Sequence, residues 1–400
     1  MGEMQTVLVR VSGPDQLGIS AELFGVLAGM DAVVRDIEQI VVRRRLTLDV
    51  LIEVEQGDDV LKDLLLFGFK RGLQIDVEEV EDTPTEYTQP FVITLIGEDL
   101  SPEELNAATV AITKGNGNID RIVRLSRYPV MSYELSVSGG DIVSIRENLL
   151  NIASTLQGMD VAIQPLNLSR RAKRLVVLDV DSTLIQDEVI DLLAAQAGCQ
   201  NEVSRITSLA MRGEVDFVQA LRQRVALLEG LDELAVERAW HELTLTPGAR
   251  TFCRTLGRLG YTTAIVSGGF SIFTERLQRE LGIQHGRANC LEVINGHLTG
   301  KLIGPLIDRR AKADFLREIA EVEGVPIEQT VAVGDGANDL DMLSEAGLGI
   351  AFNAKPVVRD AANTSLRVPY LDAVLFLLGV TREEIEAADS LNPIPDPYRF

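Results

Sequence analysis

The sequence predicts a three-layer α/β domain built on a parallel sheet and carrying a helical cap, preceded by two smaller α+β modules. Three observations predict it. In Arg174–Leu184 an apolar Leu/Val run ends in two carboxylates, Asp179 and Asp181. A continuous run of this kind, with a basic patch before it and polar residues after it, reads as a parallel strand buried on both faces. Tyr261–Phe270 and Thr330–Leu343 repeat the pattern of an apolar strand that ends in a polar, glycine-bearing turn and runs into a helix. Near the N-terminus, Phe91–Gly97 matches Val7–Gly13 at an offset of about 84 residues. Solenoid repeats are shorter, so this period indicates a tandem pair of small modules.

The first module, residues 1–84, reads as a strand over Gln5–Gly13, a helix over Ala21–Ala28, β-rich runs at Ala32–Gln39 and Arg45–Val54, and a helix-strand pair ending near Val80. The order is βαββαβ. The second module, 85–165, restarts near residue 91 and places Ile119–Leu125 and Met131–Val137 at corresponding points. Glu81–Gln89, polar and containing Pro84, is the expected linker between them. Arg170, Arg171 and Lys173 mark a second linker, 166–174, read as a solvated joint. The main domain follows over 175–387, with its helical cap at about 186–246. Asn295-Gly296 signals a hairpin with type I′ chemistry. A Pro-rich, extended tail occupies 388–400.

A chain of 400 residues exceeds one ordinary core, which agrees with several domains. A formal charge of −22 and a pI near 4.6 argue against nucleic acid as a partner. Any anionic substrate must therefore be drawn in by a few local cations. Cys199, Cys253 and Cys290 are odd in number and widely spaced, which supports neither a disulfide framework nor a metal site. No cationic leader opens the sequence and no apolar run reaches the roughly 18 residues of a membrane span. The expectation is a cytoplasmic protein without membrane contact.

Residues two apart on a strand share a side, so Asp179 and Asp181 are expected to reach one pocket at the carboxyl edge of the sheet, where ligands bind. Two such close like charges call for a hard dication or a shared proton. The Ser267-Gly268-Gly269 turn offers a hydroxyl and free N–H groups to an anion. Lys312 stands at a helix start, against the dipole, which points to a role beyond solvation. Gly334 and Gly336 suggest a dinucleotide fingerprint, but Asp339 takes the third glycine position and an acidic turn wants a cation. Within the cap, Phe217, Leu221, Arg224 and Leu228 share one helix face, so Arg224 points inward and needs an anionic partner there.

Asp179-Val-Asp-Ser-Thr183, Val266-Ser-Gly-Gly269, Lys312 and Gly334-Asp-Gly-Ala-Asn-Asp339 together resemble the four ordered motifs of the haloacid dehalogenase superfamily, most closely its phosphoserine phosphatase branch, over about residues 174–370. The two N-terminal modules resemble ACT domains over about residues 4–165, with the Gly13–Gly18 turn as their motif. The resemblance implies Mg²⁺-dependent hydrolysis of phosphoserine. Asp179 would be the nucleophile, and Asp181 the acid and then the base. Mg²⁺ would be held by Asp179, the backbone carbonyl of Asp181 and Asp335. Ser267, Gly268 and Lys312 would hold the phosphoryl oxygens, Asn338 and Asp339 would orient water and neighbours, and Ser182 would support them. Arg224 would take the substrate carboxylate and Glu188 its ammonium, the parts these positions play in the family.

By the same resemblance Gly18 would approach a bound amino acid, with serine as the candidate effector. The second module carries Pro102 near that place, so the turn glycine occurs in the first copy alone. The modules read equally as scaffolds that join two subunits into a homodimer through exposed sheet edges. Competing readings are a phosphatase or phosphotransferase for another small phosphate, such as phosphoglycolate or a homoserine acceptor, and an amino-acid-sensing dimer with an inactive body. Complete catalytic motifs oppose the last. An anionic Glu188 facing a glycolate, which has no ammonium, opposes the first.

Overall fold

Apolar residues alternate along β1 (Met4–Pro14), where Val7, Val9 and Val11 are buried, and along β3 (Arg45–Glu55), where Leu46, Leu48, Val50, Ile52 and Val54 are buried. That period of two builds a sheet with one buried face. Onto that face α1 (Ile19–Ala28) lays Ile19, Leu23 and Leu27, and α2 (Asp58–Arg71) lays Leu64 and Phe67. With β2 (Val33–Val42) and β4 (Gln74–Glu79) the antiparallel order is β2-β3-β1-β4. This computed structural model describes residues 4–30, 32–55, 58–80, 90–156, 158–212, 214–362 and 364–391; the expected linker Glu81–Gln89 and the segment Asn392–Phe400 lie outside them. Two compact units result, Met1–Tyr87 and Thr88–Phe400.

The second unit opens with β5 (Phe91–Gly97), α3 (Pro102–Lys114), β6 (Asn118–Ser126), β7 (Met131–Ser138), α4 (Ile142–Leu156) and β8 (Asp160–Pro165). Its sheet order, β6-β7-β5-β8, repeats that of the first module element for element. A capping box, Ser101 with Glu104, starts α3. Unlike β1, every residue of β5 is buried. Phe91, Ile93 and Leu95 face the module's own helices, whereas Ile96, with Leu125, Val130 and Ala162, belongs to the core of the main domain.

The expected solvated joint at 166–174 is overturned. Its residues form a short helix, α5 (Leu168–Arg171), capped by Asn167. Arg170 is buried and paired with Glu134, and buried Lys173 donates to the backbone oxygen of Glu328. Basic residues here fasten two packed bodies, a use that composition cannot distinguish from solvation.

The main domain has a seven-stranded sheet, β12-β11-β10-β9-β13-β14-β15, parallel except at β12. Its strands are β9 (Leu175–Leu178), β10 (Thr262–Phe270), β11 (His285–Ile294), β12 (His297–Ile303), β13 (Thr330–Gly334), β14 (Leu348–Phe352) and β15 (Thr364–Leu366). On β9, Val176 and Leu178 pack with Phe252 and Leu256 of α10 (Ala249–Arg258) and with Phe273 of α11 (Ser271–Leu281). Leu175 and Val177 pack on the opposite face with Phe315 and Leu316 of α12 (Arg309–Val322) and Met342 of α13 (Leu340–Glu345). These are three layers, as the Leu/Val run predicts. Asn295 and Gly296 both take positive φ in the β11–β12 turn, as expected of that pair.

Between β9 and α10 lies the cap, α6 (Val189–Ala197), α7 (Gln200–Met211), α8 (Phe217–Ala226) and α9 (Glu233–Glu242). Two short stretches join it to the body: Ile185 bridges Leu245, and Gln186 N–H donates to Thr244 O at 2.9 Å. The chain ends its described part with α14 (Pro356–Ala361), α15 (Val374–Leu377) and α16 (Arg382–Leu391). Among the described residues no helix is long and apolar enough to cross a membrane.

One ion pair tests the union of the second module with the main domain. Asp160, 4% exposed, takes the backbone N–H and Nε of Arg367, both at 2.6 Å. Removing the guanidinium leaves a buried carboxylate without its cation, so Arg367→Leu should destabilise the Thr88–Phe400 unit by about 3 kcal/mol. Chemical denaturation should show the loss; an unchanged midpoint would mean the pair holds nothing together.

Candidate active site

Adjacent parallel strands bring Asp179, Ser267 and Asp335 to one edge of the sheet. Strand alternation is not what brings Asp181 there. β9 stops at Leu178; Asp179 is still extended and donates its N–H to Val333 O at 2.9 Å, while its side chain accepts the N–H of Val180 at 2.7 Å. A wide turn follows, closed by Ile185 N–H to Val180 O at 3.0 Å, with Ser182 in the left-handed region at φ 56°. Asp179 and Asp181 nevertheless line the same cavity.

Beneath the cavity lies a buried charge cluster. Lys312, 1% exposed, donates from Nζ to Oδ1 of both Asp179 and Asp339 at 2.7 Å. The second oxygen of Asp339 accepts Gly336 N–H at 2.9 Å. Gly334 permits this approach, since a Cβ there would lie 2.5 Å from Asp339 Cγ. Asp335 is steadied by the hydroxyl of Thr183 at 3.2 Å.

Oxygens of Asp179, Asp335 and Asp339 lie within 4.8 Å of one another around a single ammonium. Burial and then Asp339 push the Asp179 carboxyl well up, with Lys312 pulling against them. Burial and Asp339 likewise push Asp335 up to about 6. Burial pulls Lys312 down, but Asp179 and Asp339 together outweigh it, so the ammonium is held firmly charged. An all-oxygen site short of positive charge has the chemistry of a hard divalent cation site.

The Asp181 side chain stands outside this cluster. Its Oδ1 accepts Val189 N–H from the start of α6 at 2.8 Å, and its Oδ2 accepts the Ser267 hydroxyl at 2.8 Å. Gly269 N–H donates to Ser267 Oγ at 2.7 Å. Asn289, fully buried, donates to Gly268 O at 2.8 Å and accepts Ile307 N–H at 2.9 Å, which fixes the glycine turn. Sequence reasoning missed Asn289, because the mixed strand His285–Ile294 gives no local pattern that marks it.

The cap closes the cavity, about 310 Å³, with Glu188, Ile190, Thr207, Ala210, Phe217, Leu221 and Arg224 opposite Gly268, Asp335 and Asn338. Arg224 faces inward as its helix spacing predicts, but no described residue supplies the anionic partner expected there. Among the described residues its guanidinium meets only the Thr207 hydroxyl, at 3.3 Å, and its buried Nε has no partner. Burial lowers its pKa, while Glu188, Asp191 and Asp181 act to raise it. Burial and then Asp181 push Glu188 up to about 7, although the Ser182 hydroxyl donates to it at 2.9 Å. Thr207 was also missed, because it reaches the cavity only through the packing of α7 on α8.

In the first module, Gly18 starts α1 in the left-handed region at φ 89°. Arg71, paired with Glu22, lies next to it, and Gln16 donates to Arg71 O at 3.1 Å.

Sheet order, cap and charge cluster define a haloacid dehalogenase-like hydrolase, and that family's profile matches residues 176–344. ACT domain profiles match residues 5–78 and 90–164. The chain is 49% identical over 393 residues to a phosphoserine phosphatase of Streptomyces coelicolor, covering 97% of this chain and 96% of that one. It is 47% identical over 393 residues to the phosphoserine phosphatase SerB2 of Mycobacterium tuberculosis, covering 96% of each. The unliganded crystal structure of a probable phosphoserine phosphatase from Vibrio cholerae superposes with a TM-score of 0.59 at 33% identity, covering 78% of this chain and 92% of the other. The chain belongs to the phosphoserine phosphatase family.

The raised Glu188 carboxyl has a measurable consequence. Its proton is held in the fold between the ordinary 4.5 and about 7, where the unfolded chain has released it. The fold therefore binds more protons than the unfolded chain in that window, and loses stability as pH rises through it. In chelator, wild type should lose more stability than Glu188→Gln between pH 5 and 8, by less than the full shift implies, because Glu188 is exposed and solvent screens its carboxyl. Parallel denaturation profiles would refute the assignment.

Proposed function

We propose that this chain hydrolyses O-phospho-L-serine to L-serine and phosphate with Mg²⁺ as its cation, as the closing step of serine formation. The observation that carries this reading is the incomplete pairing across the cavity. Among the described residues Arg224 faces it without an anion and Glu188 without a cation, while Asp179 lies at its floor with Lys312 bonded beneath it. Phosphoserine supplies a carboxylate, an ammonium and a phosphate to match.

Catalysis of phosphoryl transfer is mainly positioning and charge stabilisation. Asp179 attacks phosphorus with a carboxylate oxygen, the P–O bond to the serine side chain breaks, and Asp181 gives its proton to the departing alkoxide. Asp181 then takes a proton from water as that water attacks the aspartyl-phosphate. The bond to Asp179 breaks and inorganic phosphate leaves. Ser267, the Gly268 backbone and Lys312 hold phosphoryl oxygens, and Asn338 orients the water. Asp339 and Ser182 act through others, the first on Lys312 and the second on Glu188. Asp179, Asp335 and the backbone carbonyl of Asp181 would hold Mg²⁺, which offsets the negative charge of the carboxylates and the phosphate.

The first module adds a regulatory reading, favoured by the left-handed Gly18 beside an arginine and glutamate pair. Serine binds at that turn and its binding is coupled to the active site by about 1–3 kcal/mol. The edge strand β2, exposed along its whole length with Val33, Ile37, Ile40 and Val42 uncovered, pairs with a second copy to give a homodimer.

Phosphate release with Mg²⁺ from phosphoserine, phosphoglycolate and p-nitrophenyl phosphate tests the activity. Phosphoserine should be preferred, and Asp179→Asn should reduce turnover on the order of 10³-fold or more. A preference for phosphoglycolate, or normal turnover in the variant, would overturn the reading. For the effector, calorimetric titration of serine should show a site outside the active site that Gly18→Val abolishes. Identical isotherms for the two chains would leave the module as scaffold.

A further inference from the structure

We infer that Thr207 determines specificity by donating its hydroxyl hydrogen to the substrate carboxylate beside Arg224, an inference that rests on the phosphoserine reading above. Thr207 sits on α7 and lines the cavity together with Arg224 of α8. Its Oγ1 accepts from Arg224 Nη1 at 3.3 Å. A hydroxyl that accepts from a guanidinium must turn its own hydrogen away from it, toward some other acceptor.

Within the helix the available acceptor is the carbonyl one turn back, and serine and threonine commonly use it. Ser208, the next residue, does so, donating to Ser204 O at 2.9 Å. Thr207 makes no such bond among the described residues, so its hydrogen remains for a ligand in the cavity.

The neighbouring walls narrow the choice of ligand group. Ile190, Ala210, Phe217 and Leu221 are apolar and offer no hydrogen-bond donor from their side chains. Arg224 finds no carboxylate among the described residues, and its buried Nε is unpartnered. A carboxylate has two oxygens and about four acceptor sites, more than one guanidinium edge satisfies. With one oxygen on Arg224, the other falls to Thr207. The hydroxyl thus has two tasks: it steadies the guanidinium while the cavity is empty and reads the carboxylate when it is filled.

The test compares wild type, Thr207→Val and Thr207→Ser on phosphoserine and on O-phosphoethanolamine, which keeps the ammonium but lacks the carboxylate. Valine keeps the branched shape and removes the hydroxyl. Thr207→Val should raise KM for phosphoserine on the order of 10-fold, as loss of one hydrogen bond to a charged group does, with kcat nearly unchanged. The ratio of kcat/KM for phosphoserine over phosphoethanolamine should fall by the same factor, and Thr207→Ser should restore most of it. Equal losses on both substrates would show that Thr207 merely supports the cap. An unchanged ratio in the valine variant, beside a wild type that prefers phosphoserine, would overturn the role of Thr207 alone. A wild type indifferent to the carboxylate would instead remove the substrate reading on which it rests.

Discussion

Lys312 carries its charge where almost no water reaches, and Asp179 and Asp339 both accept from it at 2.7 Å. Neither carboxylate tolerates such burial alone, since an unpaired buried charge costs several kcal/mol. Three separate segments must therefore meet: the end of β9, the start of α12 and the turn after β13. The requirement explains why the turn is glycine at 334, where a Cβ would strike Asp339. It also explains the remaining imbalance. One ammonium serves a cluster that includes Asp335 as well, and the carboxyls answer by holding protons more tightly. A site arranged this way gains from a dication and from a doubly anionic phosphate with its metal, and gives little purchase to a neutral ligand.

The cap turns this general phosphate chemistry into selection. It is tied to the body at its base, where Ile185 bridges Leu245 and Thr246 donates to Thr183 O at 2.7 Å. It is tied again on its far side, where Gly230 N–H donates to Leu298 O and Leu298 N–H to Leu231 O, both at 2.8 Å. The start of α6 reaches the catalytic strand directly through Val189 N–H and Asp181. The cap residues Glu188 and Arg224, proposed to read the amino-acid end of the substrate, thus share a frame with the proposed acid. A ligand that pairs Glu188 and Arg224 completes charges the empty cavity leaves open, so binding and correct placement of the phosphate coincide.

Much of this was legible in the sequence. The Leu/Val run of β9 announced a strand buried on both faces, and the offset repeat announced two βαββαβ modules. Arg224 was placed inward by helix spacing alone. What was not legible depended on three-dimensional meetings or on turn geometry. Period-two reasoning carried Asp181 to the cavity by the wrong route, because the chain leaves the strand after Asp179 for the wide turn Val180–Leu184. Basic residues 170 and 173 looked like a solvated linker, and only packing shows them buried. Thr207 and Asn289 carry no local motif, since their partners lie on other elements.

The duplicated modules show how far one topology can be turned to two purposes. Both have the same strand order, and in both the second strand forms an edge. In the second module that strand, β6, buries Leu125 and Ser126, and its Arg124 meets Glu383 of α16 at 3.2 Å. Its central strand β5 is buried on both faces because the main domain covers what would otherwise be open sheet. In the first module the same strand, β2, is exposed throughout and keeps a row of valines and isoleucines uncovered. It also retains the turn glycine that the second copy replaces with Ser101-Pro102 and a capping box. The copy packed on the catalytic body starts its first helix with Ser101 and Pro102, whereas the first module, a compact unit by itself, carries the left-handed Gly18 and an exposed edge strand.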